Sequence, residues 1–262
     1  AHAANQQVLV GAGNVARCDR TNDEATANVL DGIAGTVFMV GDGVQSANNT
    51  IDYARCYEPS WGRHKGRTRP AMGSQETWGP AIYYNYFGAA AGPVNKGYYS
   101  YDLGDWHIIV LNSAITMAAN STQELWLKSD LQGNTRQCIL AMWHHPRFTS
   151  AAAVDAASLP VWNDLYAAGA DVIVNAHYGV YERVAPQSPT EVADATNGIR
   201  EFVIGTGGIA LDAFGTIRPN SQVRRNDTYG VLKFTLSTGS YSWQFVPVAG
   251  KTFTDTGTGT CH

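Results

Sequence analysis

Three residues that could bind a metal ion or transfer protons each follow a separate apolar run of the sequence. Asp42 follows the run that begins at residue 36, His144 the run from 138, and His177 the run from 171. Two imidazoles and a carboxylate form a common metal-ligand set, and the same groups can act as general acid and base. Each residue type also occurs at ordinary strand boundaries, so the inference depends on the fold bringing the three together.

Six short apolar runs close on polar or glycine-rich clusters. They are VLVGAGN (8–14), TVFMVGDG (36–43), HIIVLNS (107–113), CILAMWHHP (138–146), DVIVNAHYG (171–179) and EFVIGTGG (201–208). Such continuous runs are typical of strands buried on both faces in layered α/β folds. Functional groups there collect beyond the carboxyl ends of the strands. We therefore expect Asn14, Asn112, His145 and the loop at Gly205 to share one rim with the three residues above.

Helix signals lie between these runs. Asp23 is a candidate N-cap for a helix over 22–33, and Pro160 stands near the first position of a later helix. Ser121 and Glu124 form a capping box. Helices alternating with buried strands predict an α/β architecture with the helices outside the sheets.

The C-terminal third has a different pattern. The stretch YGVLKFTLSTGSYSWQFVPV (229–248) alternates apolar and polar residues around a Thr-Gly-Ser turn, which predicts an antiparallel hairpin. Because the sequence contains no internal repeat and no linker, we expect residues 1–262 to form a single domain.

Composition excludes several classes of function. The chain has 262 residues, 44% of them hydrophobic and 15% charged, which describes a globular protein. A net charge of −4 argues against nucleic acid or an anionic membrane as a partner. No run approaches the roughly 20 apolar residues of a membrane span. The chain opens AHAANQQ without Met, which is typical of a mature form after signal removal or of an expression product.

Cysteine usage indicates an exported protein. The cysteines are Cys18, Cys56, Cys138 and Cys261. They show no Cys-x-x-Cys spacing, which argues against a structural zinc site, and their even number fits two disulfides. Four cysteines allow three pairings, and the sequence pattern does not choose among them. Glycosylation sequons begin at Asn48, Asn120 and Asn226.

Four motifs resemble those of a known superfamily in order and spacing. GDG (41–43), MGSQE (72–76), WHHP (143–146) and AHYGVYER (176–183) are similar to motifs of the calcineurin-like metallophosphoesterases, which include the purple acid phosphatases. The resemblance is greatest to a secreted bacterial branch and extends from about Val8 to Cys261. It implies a β-sandwich of two mixed sheets flanked by helices, with a dinuclear metal site at the strand ends.

The chain departs from the superfamily pattern at several ligand positions. The resemblance implies Asp at 14, Gly-Asp-Asn at 41–43, Gly-Asn-His at 73–75, Gly-His-Asp-His at 176–179 and, in purple acid phosphatases, Tyr at 45. The residues found instead are Asn14, Gly43, Gln45, Ser74, Gln75, Ala176, Tyr178 and Gly179. One ion keeps only Asp42, whereas Asp42, His144 and His177 remain for the other. We therefore expect no dinuclear centre, and at most one zinc-like divalent ion or none.

The remaining groups support three alternative functions. The first is a repurposed enzyme with a metal-free or single-metal acid–base pocket, acting on a bulky or aromatic small molecule that is not a phosphate. The second is a non-catalytic secreted binding protein, that is, a pseudophosphatase. The third is a weak single-metal phosphoesterase.

Each candidate residue has an expected role. Catalytic roles are assigned to Asp42, Glu76, His144, His177 and Tyr178. Ligand contacts are assigned to Asn14, Arg17, His64, Ser74, Gln75 and His145. Large aromatic side chains that could bind a bulky ligand at the rim, or pack in the core, are Trp61, Trp78, Tyr83, Tyr84, Trp143 and Tyr178.

The same reading gives expectations for disulfides, location and partners. We favour Cys18–Cys56, since both follow neighbouring strands, and Cys138–Cys261, which would attach the C-terminal tail to the sheet. We expect a secreted or extracytoplasmic monomer that binds a small molecule in the cleft at the strand ends and has no nucleic-acid or membrane partner.

Overall fold

The computed structural model describes residues 6–45 and 51–262, so the sequon at Asn48 lies outside the described part. Its strands are β1 (Gln7–Ala12), β2 (Ala16–Arg17), β3 (Thr36–Val40), β4 (Val44–Gln45), β5 (Thr68–Ala71), β6 (Tyr99–Leu103), β7 (Trp106–Val110), β8 (Cys138–Met142), β9 (Val172–Asn175), β10 (Tyr181–Val184), β11 (Arg200–Ile204), β12 (Ser221–Arg225), β13 (Gly230–Ser237), β14 (Ser240–Pro247) and β15 (Thr256–Thr260). Its α-helices are α1 (Asn22–Asp31), α2 (Pro80–Phe87), α3 (Thr122–Gly133) and α4 (Leu159–Ala167).

Two mixed sheets form the body of the protein. The first has the order β15-β14-β13-β1-β3-β5 and the second β12-β10-β11-β9-β8-β7-β6, while β2 and β4 form a short parallel pair. β1, β3 and β5 run parallel in the first sheet, as do β7, β8, β9 and β11 in the second. The carboxyl ends of these parallel strands carry the candidate site residues.

The parallel strands of the second sheet, β7, β8, β9 and β11, are buried on both faces, as their continuous apolar runs predict. Ile108 belongs to a core cluster that also contains residues of the first sheet, such as Leu9. Its neighbour Ile109 faces the other way and packs with Leu127 of α3 and Trp162 of α4. Burial of both faces holds the strand ends in fixed positions, which a catalytic or metal site requires.

Most of the predicted elements are present, with two differences at helix starts. Thr21 precedes α1 without a side-chain cap, so the prediction of Asp23 as N-cap is wrong. Asp23 lies inside the helix, where its buried carboxylate accepts a hydrogen bond from Ser60. Ser121 caps α3 as predicted, but Glu124 reaches back to the backbone N–H of Asn120, one residue further than the capping box requires.

The C-terminal region extends the first sheet. The predicted hairpin is β13–β14, and β15, which the sequence pattern did not indicate, pairs antiparallel with β14. Gly257 and Gly259 of β15 lie against the rings of Trp243 and Tyr241, respectively. Both positions require glycine, because a Cβ would lie 2.2 Å from the ring of Trp243 at 257 and 2.4 Å from that of Tyr241 at 259.

Both favoured disulfides are confirmed. Cys18 pairs with Cys56 and Cys138 with Cys261, so the described residues contain no free cysteine. This arrangement fits an oxidising, extracytoplasmic environment. In the described part of the chain, no helix has both the length and the apolar character needed to cross a membrane.

A second histidine–carboxylate group lies between β6, β7 and α3, and we call Asp102, His107 and Asp130 the His107 clamp. Nδ1 of His107 lies 3.0 Å from Oδ1 of Asp102, and Nε2 lies 2.9 Å from Oδ2 of Asp130. Arg136 donates to Asp102, and Ser100 donates to Asp130. Both ring nitrogens therefore have carboxylate partners, and the clamp fastens α3 to the edge of the second sheet.

Candidate functional site

Three site residues share an unusual backbone conformation directly after strand ends. Asn14, Asp42 and His177 have positive φ values of 55°, 51° and 63°. Residues other than glycine rarely adopt this left-handed backbone region, and such strain concentrates at functional sites. Gly41, which precedes Asp42, must be glycine because a Cβ there would lie 2.5 Å from Nδ1 of His144. The backbone thus turns sharply so that these side chains meet.

The structure brings Asp42, His144 and His177 together, and with His145 we call them the histidine cluster. Nε2 of His144 lies 3.2 Å from Oδ2 of Asp42 and 3.2 Å from Nδ1 of His177. Nδ1 of His144 lies 2.8 Å from the carbonyl of Val40, so this nitrogen carries the hydrogen and Nε2 faces the cluster. His144 is fully buried and Asp42 nearly so.

His145 joins the cluster through two serines. Its Nε2 lies 3.1 Å from Oγ of Ser74 and its Nδ1 lies 2.9 Å from Oγ of Ser113. Ser74 Oγ is also 3.4 Å from Nδ1 of His177. Ligand atoms of His144, His145 and His177 all lie within 4.8 Å of one another. From the sequence, His145 is expected only to contact a ligand. Its place next to His144 in WHHP could have indicated that it belongs to the cluster.

Glu76 holds the loops around the cluster. Its fully buried carboxylate accepts hydrogen bonds from the backbone N–H groups of Asp42, Gly43 and Gly73 and from the hydroxyl of Tyr53, at 2.7–3.0 Å. Burial, followed by the charge of Asp42, raises the pKa of Glu76. With all these donors engaged, the geometry gives Glu76 a positioning role, whereas the sequence predicted a catalytic one.

The charges within the cluster are unequal. Burial opposes ionisation of both His144 and Asp42, but their mutual attraction prevails, so the pKa of His144 is raised and that of Asp42 is lowered. Burial and the charge of His144 lower the pKa of His145 and of His177 to about 4. One cationic imidazole therefore stands beside two neutral ones.

Asn14 and Gly179 stand at two positions where the superfamily pattern has metal ligands, and the structure shows what each contacts instead. Nδ2 of Asn14 donates to the carbonyl of His177 at 2.8 Å, so this side chain is an uncharged amide bound to the backbone. At Gly179, a Cβ would lie 2.0 Å from the carbonyl oxygen of Ala210, and the N–H already donates to Asp212. No side-chain ligand can be placed at position 179 without moving the backbone of Ala210.

The distances around His144 suit either hydrogen bonds or the ligands of a metal ion. Nε2 of His144 points at two acceptors, Oδ2 of Asp42 and Nδ1 of His177, and both distances are close to the roughly 3.3 Å that separates ligands of a tetrahedral zinc ion. Because the pKa of His144 is raised, its Nε2–H can donate to these acceptors, and a metal ion bound there would take the place of that proton. The buried Oδ1 of Asn14 has no partner among the described residues, which leaves a further acceptor in this region.

The remaining predicted contacts divide into near and distant groups. Gln75 lies beside the cluster, since its N–H donates to Oδ1 of Asp42 at 2.8 Å. Arg17 pairs with Asp19 instead. His64 contacts the carbonyl of Ala27 and Arg67, so its ring belongs to the packing against α1 and is not brought to the cluster.

Most of the aromatic side chains expected at the rim lie in the core. Trp61, Tyr83 and Trp143 are fully buried and Tyr84 nearly so. Tyr178 is half-buried beside His177, with the two ring centroids 4.7 Å apart. A cleft of about 570 Å³ opens next to Tyr178 and His145.

Comparison with known proteins agrees with this description of the fold. No protein-family model matches the chain. Purple acid phosphatase 15 of Arabidopsis thaliana is 29% identical over 119 residues, which are 40% of this chain and 22% of that protein. The match therefore spans about a fifth of the length of this curated relative.

Solved structures match over nearly the whole chain. A purple acid phosphatase from yellow lupin (Lupinus luteus) seeds has a TM-score of 0.78 at 17% identity, covering 97% of this chain and 53% of that one. GAP50, the anchor in the inner membrane complex of Plasmodium, has a TM-score of 0.69 at 12% identity, covering 95% and 88%. At these identities the likeness shows the fold. The two mixed sheets and these matches show that the chain has the fold of the purple acid phosphatase from yellow lupin.

Proposed function

We propose that the chain is a repurposed enzyme of metallophosphoesterase ancestry with a degenerate site, in which the histidine cluster binds one divalent ion. The observation that carries this proposal is the grouping of His144, His145 and His177, whose ligand atoms lie within 4.8 Å of one another, with Oδ2 of Asp42 3.2 Å from Nε2 of His144. Three imidazoles and a carboxylate are a donor set typical of zinc.

The same geometry supports one ion and not two. Asn14 supplies no charge, and position 179 is closed to any side chain. A dinuclear centre stabilises both the attacking and the leaving oxygen of a phosphoryl transfer, and a single ion lacks this clamp. Gln75 stands where the superfamily pattern has a histidine, and an amide cannot protonate a leaving group. The substrate is therefore a small molecule other than a phosphate ester.

A bound ion would supply Lewis-acid polarisation of a substrate oxygen. The protein's own groups perform the remaining tasks. Val40 fixes the orientation of His144, and Ser113 fixes that of His145. Ser74 places a hydroxyl between His145 and His177, where it can hold a polar group of the substrate.

The expected setting of the enzyme is part of the proposal. Two disulfides support a secreted location. The net charge of −4 supports a small-molecule substrate over nucleic acid or an anionic membrane, and we propose a monomer.

A second candidate is a non-catalytic binding protein. GAP50, the anchor in the inner membrane complex of Plasmodium, has the same fold. The presence of Asn14 and Gly179 at positions of metal ligands is also consistent with loss of catalysis. This alternative uses the cleft beside the cluster as a recognition surface and requires no metal.

Metal content tests the proposal. The full chain, purified without a metal-affinity tag, is dialysed with zinc, manganese or iron and measured by inductively coupled plasma mass spectrometry. We expect one ion per chain, lost in His177→Ala and retained in the matched control His107→Ala, whose histidine lies in the His107 clamp. An unmodified chain that holds no ion, or two, would overturn the proposal.

Activity separates the enzyme from the binding protein. The zinc-loaded chain is assayed on carboxylic esters, amides, lactones and aryl phosphates, with His177→Ala and His107→Ala in parallel. Turnover of a non-phosphate substrate that is lost only in His177→Ala supports the enzyme. Turnover of aryl phosphate alone, or none on any substrate, would contradict it.

A further inference from the structure

The cleft next to the histidine cluster indicates which substrates the site can accept, an inference that rests on the proposed function. The cleft is about 570 Å³, within the range of pockets for drug-sized molecules. Two segments form its walls, residues 113–118 after β7 and residues 152–157 after β8. His145 and Tyr178 link these walls to the cluster.

The walls of the cleft are mainly apolar and made of small side chains. Five alanines line it, together with two larger apolar residues, and these side chains offer no hydrogen bonds. The alanines are Ala114, Ala118, Ala152, Ala153 and Ala157. Ile115 and Met117 complete the apolar surface. A ligand gains binding energy here by burying apolar area, and the small side chains leave room for a broad or planar body.

The charges of the cleft disfavour anions. Asp155 lines it, and none of the lining residues, all of which lie in the described part of the chain, is Lys or Arg. The nearby cation Arg147 is buried and donates to the carbonyls of Pro189 and Asp155. The cationic His144 is fully buried and does not line the cleft. An anionic ligand in the cleft would therefore meet the carboxylate of Asp155 and no lining Lys or Arg, at an energetic cost that an uncharged ligand avoids.

Among the described residues, the hydroxyls of two lining residues, Tyr178 and Thr116, have no acceptor for their hydrogen, and Tyr178 is the one that lies beside the cluster. The hydroxyl of Tyr178 has no hydrogen-bond partner among the residues that the structure describes, whereas Asp155 already accepts from the backbone N–H groups of Ala157 and Ser158. A phenol donates one hydrogen bond, so its complement is an acceptor oxygen such as a carbonyl.

We propose that the cleft binds an uncharged, mainly apolar molecule carrying a carbonyl or similar acceptor oxygen, which Tyr178 holds beside the histidine cluster. Anionic ligands, phosphate esters among them, are excluded by the same walls. This assigns to residues 113–118 and 152–157 the selection of the substrate.

A matched ligand set tests this inference without depending on the ion. The full chain is treated with chelator, and binding of butyrophenone, benzoate and phenyl phosphate is measured by saturation-transfer NMR with titration. We expect butyrophenone to bind at least ten-fold more tightly than either anion. Equal or tighter binding of an anion, or no binding of butyrophenone, would overturn the inference.

Variants locate the binding. Ala152→Trp fills the cleft and should abolish binding of butyrophenone, whereas Ala89→Trp, on an exposed turn outside the cleft, should leave it unchanged. Ala153→Arg, at an exposed lining position, should raise the affinity for benzoate at least five-fold. If Ala152→Trp proves unfolded by circular dichroism, Ala153→Arg still decides the result. An unchanged preference in Ala153→Arg would contradict the inference.

The two proposals can fail separately. If the chain binds butyrophenone but holds no ion, the inferred substrate class stands and the proposed single-ion enzyme is contradicted. If the chain holds one ion but binds benzoate or phenyl phosphate more tightly, the single-ion proposal stands and the inferred substrate class is contradicted.

Discussion

Histidine meets carboxylate at two places in this protein, and the partners of the rings differ. In the His107 clamp, each ring nitrogen has its own carboxylate, at 3.0 and 2.9 Å. In the histidine cluster, Nε2 of His144 faces Asp42 and a second imidazole, and His145 and His177 have serine or histidine partners. Each ring nitrogen of the clamp has its own carboxylate partner, whereas in the cluster Nε2 of His144 lies 3.2 Å from two acceptors and further ring nitrogens lie close by.

The contrast shows how a structural histidine can be told from a candidate ligand. Burial alone would lower the pKa of His107, but Asp130 and Asp102 outweigh it and the pKa is raised. In the cluster, burial and neighbouring imidazoles lower the pKa of His145 and of His177 to about 4. His144 resembles His107, since the carboxylate of Asp42 raises its pKa; the cluster differs from the clamp in the two neutral imidazoles beside His144, which can accept a proton or bind a metal ion.

The largest effect is expected from His144→Ala. It leaves the buried carboxylate of Asp42 without its cation, which costs about 3–5 kcal/mol of unfolding free energy. His107→Ala, in the more exposed clamp, should cost about 1–3 kcal/mol because Arg136 and Ser100 still satisfy the carboxylates. Urea unfolding at pH 6 in chelator measures both. An equal or larger loss in His107→Ala would break the distinction between the two sites.

Zinc should raise the unfolding free energy by binding at the histidine cluster and not at the His107 clamp. At a free zinc concentration 100 times the dissociation constant, a ligand of the native state adds about 2.7 kcal/mol. We expect this gain, measured by urea unfolding, in the unmodified chain and in His107→Ala, and no gain in His177→Ala. A gain that disappears in His107→Ala would place the ion in the clamp and contradict the account.

The clamp should show a pH dependence of defined sign. Because the pKa of His107 is raised in the folded state, its contribution is fully present below the unfolded value of about 6.5 and is lost as the pH rises through the folded value. The difference in unfolding free energy between the unmodified chain and His107→Gln should therefore shrink from pH 6 to pH 9. A difference that grows over this range would show that His107 is neutral.

The smallest effect is expected from removing a hydroxyl that has no partner. Tyr178→Phe should change the unfolding free energy by no more than about 0.5 kcal/mol. The matched change Tyr53→Phe removes the hydrogen bond to the buried Glu76 and should cost about 1–3 kcal/mol. Thermal unfolding of both variants checks this. A large loss in Tyr178→Phe would indicate that the hydroxyl is structural.

Strand positions and the main site residues could be predicted because they rest on local patterns. Apolar runs that end in Asp42, His144 or His177 mark the carboxyl ends of parallel strands, and such ends meet at one edge. The favoured pair Cys18–Cys56 rested on two neighbouring strands, whereas Cys138–Cys261 rested on attachment of the C-terminal tail, and both pairs are present.

Long-range packing limited the rest of the prediction. The sequence assigned His64 to ligand contact, but its ring packs against α1, which no local pattern encodes. Trp61 and Trp143 fill the core because large apolar area is best buried. Gly179 appeared as a missing ligand, and only the structure shows that Ala210 closes the position. The strand β15 was not predicted because it contains Gly257 and Gly259, and glycine is rare in strands.

The central claim is that one ion binds in the histidine cluster, and anomalous X-ray scattering locates it most directly. Crystals of the full chain grown with zinc, measured on both sides of the zinc absorption edge, would give an anomalous difference map. The account predicts a single peak within bonding distance of Nε2 of His144 and Nδ1 of His177. Two peaks near Asp42, a peak only at the His107 clamp, or no peak at the cluster would contradict it.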